Sequence, residues 1–341
     1  MKRLFRILTV FLLFGLLGAG TVGFIFFYPN VNANLSGTTF DIPKDATCEQ
    51  VLDSLTSRQI LKNPTTFKVA ARILKYERMR CGHYELRPGE NNYRFVRRLR
   101  AGQHHTLKFT FNNVRTKEQF VEKTEGKFFF AANDLYNLLV DSNFLKKYDL
   151  NLETCTGIFI PNTYEFFYDI SAEEFFEKMY QNYVDFWNAS RRQKAEAIGL
   201  SPMEVVILAS IVEEENHRNE EKPIIAGLYL NRLQKGMLLQ ADPTVKFALG
   251  DFTLTRVLNS HLEVDSPYNT YRYAGLPPGP IRMPEISSID AVLNYQHHHY
   301  LYMCAKEDFS GYHNFAVTSA EHARNAARYR AALSRWQKAR K

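Results

Sequence analysis

The sequence predicts an α+β protein that begins with a transmembrane helix. Three observations support this prediction. An uncharged run extends from Ile7 to Tyr28, short strand patterns are interleaved with segments of helical spacing, and one helix, which ends near Glu215, is apolar nearly all round. A chain of 341 residues with 45% hydrophobic composition can bury a large core. Its length suggests about two domains beyond the apolar run.

The N-terminal run has the length that an α-helix needs to cross a bilayer. Small residues at Gly18 to Gly20 could form a signal-peptide cleavage site, but apolar residues continue to Phe27, which favours an uncleaved anchor. Three basic residues precede the run, whereas the next one after it is Lys44, so the positive-inside rule keeps the N-terminus in the cytoplasm. Residues 1–29 are therefore predicted to be a cytoplasmic stub and a transmembrane anchor.

The formal net charge of +7 and the pI near 9.1 would suit nucleic acid, an anionic membrane surface or an acidic polymer. The sequence has no zinc-finger spacing and no phosphate-cradling glycine loop, so we expect no nucleic-acid partner. Three consecutive histidines, 297–299, point in different directions and cannot all ligate one ion, so we expect no metal and no cofactor. Spacing leaves open whether the four scattered cysteines form disulfides or are small buried residues.

Residues 30–105 are predicted to form a small α+β module. A polar tether leads into a strand over Thr38 to Pro43. A helix follows with Thr47 as its N-cap, and a second helix covers Thr65 to Tyr76. After a further strand, the last helix of the module ends at Gly102.

Residues 106–341 are predicted to form a larger domain. Alternating apolar residues from Leu107 to Phe111 indicate a strand. Helices are expected near Asn133 to Lys147 and from Ala172 to about Ala197, and an amphipathic helix from Ser319 is expected to close the domain.

The best-defined helix of this domain starts after a complete capping signal. Ser201 is a suitable N-cap, Pro202 occupies the first helical position, and Glu204 completes a capping box. The residues that follow are apolar on nearly every side, which predicts a helix buried in the core.

Three glutamates, Glu213 to Glu215, end this helix, where the macrodipole disfavours negative charge. Helical spacing directs Glu215 along the apolar stripe. Burial, the helix end and the adjacent like charges should raise the pKa of at least one of these carboxyls. A carboxylic acid that is protonated near neutral pH is suited to be the general acid in glycosidic-bond cleavage. The alternative is a solvated acidic helix end paired with Arg218 or Lys222.

A second helix, near Asn219 to Lys235, should lie antiparallel to the first across a short turn. Polar residues on it and after it could gather near the glutamates and bind sugar hydroxyl or acetamido groups, although Tyr271 could equally be a core residue. Together with Glu213, these predicted substrate-binding residues are Asn231, Gln240, Asp242, Thr244, Tyr268, Asn269, Tyr271, His313 and Asn314.

Four stretches, in this order, resemble the YceG-like family of endolytic murein transglycosylases: LASIVEEEN, AGLYLNRLQKGMLLQADPTVKFALG, SPYNTYRYAGLPPGPIRMPEISSIDAVLN and YLYMCAKEDFSGYHNFAVTSAEHARNAARY. The resemblance is strong over about residues 105–335 and weaker over the N-terminal module, for which it implies a LysM-like fold. It implies that Glu215 is the catalytic residue and that Glu213 is the first acidic position of the family's E-x-E motif.

The resemblance also implies a function. The substrate would be peptidoglycan glycan strands, cut at the β-1,4 bond between N-acetylmuramic acid and N-acetylglucosamine with formation of a 1,6-anhydromuramic acid end. The catalytic domain would face the periplasm from a single-pass anchor in the inner membrane. There it would terminate nascent strands, with peptidoglycan synthases as possible partners.

Two segments depart from the family's usual pattern. Asn112 and Asn113 stand where the family usually has an acidic residue and a glycine, and Asn162 stands where it usually has an aspartate. These departures argue against a second acidic helper from either segment and leave the Glu215 assignment intact. The alternative function is a membrane-tethered, non-catalytic protein that binds peptidoglycan as a scaffold.

Overall fold

The computed structural model describes residues 2–35, 37–43, 45–104, 106–216 and 218–338. Lys44, which entered the orientation argument, lies outside these ranges. The chain divides into two compact units. The first contains the chain up to Phe109 together with Glu125–Ala131 and Tyr164–Ser171, and the second contains the remainder. Both helices and strands are present, which agrees with the predicted α+β class.

The first helix, α1 (Lys2–Phe27), contains the predicted membrane span. Its segment Leu8–Phe27 has a mean hydropathy of 2.3 and contains no charged residue. Among the described residues, this is the one helix that is long and apolar enough to cross a membrane on its own. The helix is therefore compatible with a membrane anchor.

The first unit continues with a small module whose core is made of aromatic and aliphatic side chains. Its strands β1 and β2 are antiparallel, with Phe40 opposite Tyr84. The predicted N-cap of α2 is confirmed, because the Thr47 side chain accepts from the amide of Gln50 and the Gln50 side chain accepts in return. The elements are β1 (Thr39–Ile42), α2 (Cys48–Ser57), α3 (Pro64–Ile73), β2 (Gly82–Glu85), α4 (Asn92–Ala101) and β3 (Thr106–Thr110).

Gly102 ends α4 with φ 66°, a left-handed conformation that glycine adopts without strain, as the sequence predicted. The helix predicted over Thr65 to Tyr76 begins one residue earlier and ends earlier, at Ile73. Asn63 caps it by accepting a hydrogen bond from the amide of Thr66.

The later elements include two helices that the sequence patterns did not predict, α12 and α13, and two short 3₁₀ helices, Cys155–Ile158 and Asn259–Glu263. The α-helices and strands are α5 (Lys117–Thr124), α6 (Ala132–Val140), α7 (Ser142–Lys146), β4 (Thr163–Phe167), α8 (Ala172–Phe186), α9 (Ala189–Ala197), α10 (Pro202–Glu215), α11 (Lys222–Gln234), α12 (Asp242–Leu249), α13 (Ile286–Leu293), β5 (Tyr302–Ala305), β6 (His313–Ala316) and α14 (Ser319–Lys338). Strand β3 pairs with β4, and β5 pairs with β6.

Two predicted long helices are each interrupted by an N-cap. Asp141 accepts hydrogen bonds from the amides of Asn143 and Phe144 and starts α7, so α6 and α7 are separate. Asn188 accepts from the amide of Arg191 and starts α9 after α8. In both places a side-chain acceptor offers the backbone a new helix start, which competes with continuation of the old helix.

Helix α10 is the centre of the second unit. Ser201 and Glu204 form the predicted capping box at its N-terminus. Every residue from Val205 to Glu213 is buried. The helix packs against α11, α12 and α13. The prediction of a buried helix that ends in three carboxylates is therefore confirmed. The four cysteines form no disulfide bonds within the described chain.

Candidate active site

A cavity of about 450 Å³ lies within the second unit beside the C-terminal end of α10. Helices α10 and α11, the start of α12 and the strands β5 and β6 contribute to its wall. Five of the predicted site residues line it: Glu215, Gln240, Asp242, Tyr271 and His313. The structure thus brings together groups that lie up to about a hundred residues apart in the chain.

Glu215 is half-buried and presents its carboxyl group to the cavity. Burial raises the pKa of this carboxyl from 4.5 to about 7, and the nearby charges of Asp242 and Glu214 act in the same direction. The Tyr229 hydroxyl donates a 2.6 Å hydrogen bond to Glu215 Oε1, which opposes the shift. The predicted raised pKa is therefore confirmed for Glu215. A substantial fraction of this group is protonated at neutral pH.

Tyr229 belongs to α11 and was not identified from the sequence. Its side chain is buried, and burial together with the neighbouring Glu215 raises the pKa of the phenol well above 10. The hydroxyl therefore remains a donor across the physiological range. Because it occupies Oε1, the other carboxyl oxygen, Oε2, is the one available to carry a proton toward the cavity.

The other two glutamates of the triplet are bound to arginines. Arg282 donates to Glu213 at 2.9 Å and to Glu214 at 2.8 Å. Arg115 adds two hydrogen bonds to Glu214, at 2.7 and 3.1 Å. Arg282 is 3% exposed, so this is a buried cluster rather than a solvated helix end. The alternative pairing with Arg218 or Lys222 is therefore wrong.

Glu213 is directed away from the cavity. Its Oε2 accepts hydrogen bonds from the backbone amide of Glu285 and from the hydroxyl of Ser288, both at the start of α13. A carboxylate is well placed at a helix N-terminus, where the unpaired amides and the macrodipole favour negative charge. The structure does not bring Glu213 to the cavity, because the side chain joins α10 to α13, and its predicted contact with substrate stays a prediction.

A second tyrosine–carboxylate pair lies on the cavity wall. Tyr271 donates from its hydroxyl to Asp242 Oδ1 at 2.6 Å. Asp242 is exposed and Tyr271 is half-buried, so this pair lies nearer to solvent than the pair of Tyr229 and Glu215. Tyr271 therefore lines the cavity and is not a core residue.

Arg232 is a cavity residue that sequence reasoning missed. It is 6% exposed, and its Nε donates to the carbonyl of Leu301 while Nη1 donates to the carbonyls of Leu238 and Leu239 and to the Gln240 side chain. Within the described ranges no carboxylate pairs with it, and its Nη2 has no hydrogen-bond acceptor. Arg232 lies in the last turn of α11, where a basic residue is expected on electrostatic grounds alone, so the sequence gives no signal of this placement.

Two histidines complete the wall. His313 shares a hydrogen bond between its Nδ1 and Glu221 Oε2 at 2.9 Å, and its backbone amide donates to Glu221 Oε1. His322 of α14, which was not predicted, stacks on Tyr302, and burial lowers the pKa of its imidazole. The ring of His313 is thus held in place by Glu221.

Three predicted residues of the 244–269 region lie outside the cavity. Thr244 is buried, and its hydroxyl donates to the carbonyl of Ala241. Asn269 is buried, and its amide donates to backbone carbonyls in the 262–264 loop. Tyr268 packs against the hydrophobic core. These residues support the cavity wall indirectly, because their hydrogen bonds and packing hold the segments next to Asp242 and Tyr271.

The remaining two predicted residues also bond within the protein. The amide of Asn231 donates to the carbonyls of His298 and Tyr300 at 2.9 and 3.0 Å. The amide of Asn314 donates to Glu307 at 2.7 Å. Neither residue lines the cavity, and their predicted contacts with substrate stay predictions.

The departures from the family pattern lie apart from Glu215. Asn112 and Asn162 line a separate depression of about 340 Å³ together with Glu285. Asn113 has φ 50° and accepts a hydrogen bond from Arg282. Neither segment contributes a side chain to the wall of the cavity that contains Glu215.

The geometry can be compared with that of known proteins. The YceG-like family model matches residues 40–328, which is most of the chain. The chain belongs to the YceG-like family. A YceG-like protein from Listeria monocytogenes, of known crystal structure, is 28% identical with a TM-score of 0.56. The match covers 84% of this chain and 98% of the Listeria chain.

Two relatives with functional names have modest sequence identity to this chain, but each match covers most of it. A Bacillus subtilis (strain 168) protein named endolytic murein transglycosylase is 28% identical over 308 residues, which cover 85% of this chain and 84% of the relative. A Streptococcus pneumoniae (strain D39) protein of the same name is 24% identical over 330 residues. Here the match covers 85% of this chain but 58% of the pneumococcal protein.

Proposed function

We propose that this YceG-like protein is an endolytic peptidoglycan lytic transglycosylase. It would cut the β-1,4 bond between N-acetylmuramic acid and N-acetylglucosamine and leave a 1,6-anhydromuramic acid end. The observation that carries the proposal is the half-buried carboxyl of Glu215. It lies in a cavity, and its pKa is raised to about 7. The names of the Bacillus and pneumococcal relatives support the same substrate class.

In the proposed reaction Glu215 acts first as acid and then as base. Protonated Glu215 donates its proton to the glycosidic oxygen as the bond from that oxygen to C1 of the muramic acid breaks. The C6 hydroxyl of the same sugar attacks C1, and the Glu215 carboxylate accepts the hydroxyl proton. One bond breaks and one forms, no water is consumed, and Glu215 regains its proton. The reaction is therefore that of a lyase.

The neighbouring groups have separate roles in this proposal. Tyr229 orients the carboxyl by holding Oε1, which leaves Oε2 for proton transfer. The unused Nη2 of Arg232 and the side chains of Gln240 and Asp242 offer donors and acceptors to sugar substituents. Tyr271 supplies an aromatic face beside them.

The first unit would hold the enzyme at its substrate. Helix α1 would be a single-pass anchor in the inner membrane, with residues 1–29 as stub and anchor. Residues 30–105 would form a LysM-like module, which is supported by the order strand, two helices, strand from β1 to β2. Residues 106–341 would be the catalytic domain in the periplasm, where it would terminate nascent strands beside peptidoglycan synthases.

The test is mass spectrometry of products after the full-length chain, in detergent, acts on uncrosslinked glycan strands. Glu215→Gln is the informative variant, and Glu220→Gln, at an exposed position outside the cavity, is its matched control. We expect anhydro ends from the wild type and the control but none from Glu215→Gln.

Other products would point to other functions. Reducing ends would indicate a hydrolase, for which Asp242 in the same cavity would supply the second carboxylate. Intact strands that remain bound would indicate the non-catalytic scaffold. Anhydro ends from Glu215→Gln at the wild-type rate would refute the role of Glu215.

A further inference from the structure

A second cavity, of about 650 Å³, lies in the first unit along helix α4. It is far more basic than the cavity at Glu215, since five arginines and a single acidic residue line it. The charged lining residues are Arg87, Glu90, Arg94, Arg97, Arg98 and Arg100. The proposed catalytic function makes no use of this arginine pocket.

The single acid neutralises a single arginine. Glu90 and Arg98 are both buried and form a bidentate ion pair, with distances of 3.3 and 2.7 Å. Arg87 and Arg94 are exposed and have no hydrogen-bond or ion-pair partner for their guanidinium groups among the described residues. Arg97 donates to the hydroxyl of Tyr93. The pocket therefore keeps an excess of positive charge that the protein does not compensate.

The arginine pocket is joined to the end of the apolar helix. The ring of Tyr93, which also lines the pocket, lies 5.7 Å from that of Phe27, the last residue of α1. The Asn92 side chain donates to the carbonyl of Ile25 at 2.8 Å. The carbonyl of Glu90 accepts from the amides just after α1, at residues 30 and 31. These contacts fix the pocket relative to α1.

This placement determines the depth of the pocket if α1 spans a bilayer. The 20 residues Leu8–Phe27 are about 30 Å long as a helix, which matches the hydrocarbon core, so Phe27 lies at the interface. Tyr93 to Arg100 extends about 10 Å along α4. The arginines therefore lie within reach of the headgroups, and tyrosine is a residue typical of that level.

We propose that the arginine pocket binds the phosphate of an anionic phospholipid headgroup beside α1. Guanidinium groups bind phosphate oxygens in a planar, bidentate way and are always charged. A cluster of like charges with one acid costs repulsion in the free protein, which an anion relieves. The pocket shape limits binding to one or a few headgroups, in contrast to a flat basic surface. This site is independent of the chemistry at Glu215.

The test measures lipid binding by native mass spectrometry of the full-length chain in detergent. Phosphatidylglycerol and phosphatidylcholine with identical acyl chains are the probes, and inorganic phosphate is added as a soluble competitor. The pocket variant is Arg87→Gln with Arg94→Gln and Arg97→Gln. Its charge-matched control replaces three exposed arginines of α14 by glutamine.

The control positions are Arg324, Arg330 and Arg335. Their substitution removes the same charge at positions far from the pocket in the sequence. We expect the wild type to prefer phosphatidylglycerol about tenfold, since each basic residue adds to binding at an anionic surface. The preference should vanish in the pocket variant and persist in the control. Arg94→Gln alone should reduce it, which provides a test even if the triple variant unfolds.

Three results would overturn the proposal. Equal loss in the pocket variant and in the control would show attraction by overall charge. The absence of a preference in the wild type would show that the pocket does not select anionic lipid. Displacement of phosphatidylglycerol by inorganic phosphate at equal concentration would identify a site for free phosphate and not for lipid. None of these results depends on glycan cleavage.

Discussion

The two sides of the last turn of α10 differ in the groups that surround their carboxyl side chains. On one side Glu213 and Glu214 lie among arginines, and each carboxylate has a cation within 3 Å. On the other side Glu215 contacts a phenol and a cavity, with the acidic side chain of Asp242 nearby. The same residue type, at adjacent positions, therefore pairs with arginine on one side and has a raised pKa beside a cavity on the other.

The difference teaches which neighbour decides the role of a buried carboxyl. A guanidinium offsets the loss of hydration of a buried carboxylate by direct attraction. A tyrosine hydroxyl offers one hydrogen bond and no charge, which is less than the desolvation cost, so the pKa of Glu215 stays raised. The nearby charge of Glu214 raises this pKa further, although two arginines contact that carboxylate.

The largest expected effect is on activity, in Glu215→Gln. The amide has nearly the same shape but cannot donate or accept the transferred proton, so we expect kcat to fall about 10³-fold or more. Single-turnover cleavage of glycan strands at fixed enzyme concentration measures it. A fall in kcat of less than tenfold would indicate that another residue is the general acid, with Asp242 the first candidate.

The next effect is on stability, in Glu213→Gln. Removal of one partner of a buried pair leaves Arg282 with less compensation, so we expect the free energy of unfolding to fall by about 3 kcal/mol. Urea titration measures the change. The variant should retain kcat within about threefold of wild type. A large loss of kcat with unchanged stability would support the prediction that Glu213 binds substrate.

The raised pKa of Glu215 also predicts a pH dependence of stability. Because the pKa is about 7 when folded and 4.5 ordinarily, the protonated carboxyl contributes its stability in full below about pH 4.5 and loses it as the pH rises through 7. Glu215→Gln has no such loss, so its stability relative to wild type should increase by about 2 kcal/mol between pH 5 and 8. Thermal melts of both proteins across this range measure it, and parallel curves would contradict the raised pKa.

Tyr229→Phe tests how much the hydrogen bond from the Tyr229 hydroxyl affects the pKa of Glu215. The hydroxyl favours the charged carboxylate, so its loss should raise the pKa of Glu215 further. The pH at which kcat/KM falls on the alkaline side should therefore rise above about 7. An unchanged profile with reduced kcat would indicate that Tyr229 positions the carboxyl without tuning it.

The smallest effect is expected in Tyr271→Phe, the matched control for the Tyr229 variant. This variant removes the hydroxyl that donates a 2.6 Å hydrogen bond to Asp242. The bond has the same length as that of Tyr229 to Glu215 but lies at a more exposed position. We expect kcat/KM to change by less than about threefold, with no shift of the alkaline limb, because hydrogen bonds near solvent exchange for water. A shift equal to that of Tyr229→Phe would mean that Asp242 governs the titration.

Local signals predicted much of the fold. The cap at Ser201, the glycine end at Gly102 and the apolar stripe of α10 depend on residues within one or two turns, so they can be recognised in the sequence. The interruptions at Asp141 and Asn188 were missed, because the same residue types also occur inside helices and the surrounding patterns continue.

The candidate site was predictable only in part, because its electrostatics are nonlocal. The position of Glu215 on the apolar stripe follows from helical spacing. The partners of its neighbours do not, since Arg115 lies 99 residues and Arg282 68 residues from Glu214. Arg232 was overlooked for the same reason, because its partners are backbone carbonyls that any sequence provides.

The attachment of Glu213 to the start of α13 has a consequence for motion. The last turn of a helix usually frays, since its carbonyls lack partners within the helix. Here Glu213 bonds that turn to the start of α13, and Glu213 and Glu214 bond it to two arginines. The backbone amides of residues 213–215 should therefore exchange with deuterium only on global unfolding, so we expect Glu215 to lie on one of the least mobile turns of the unit.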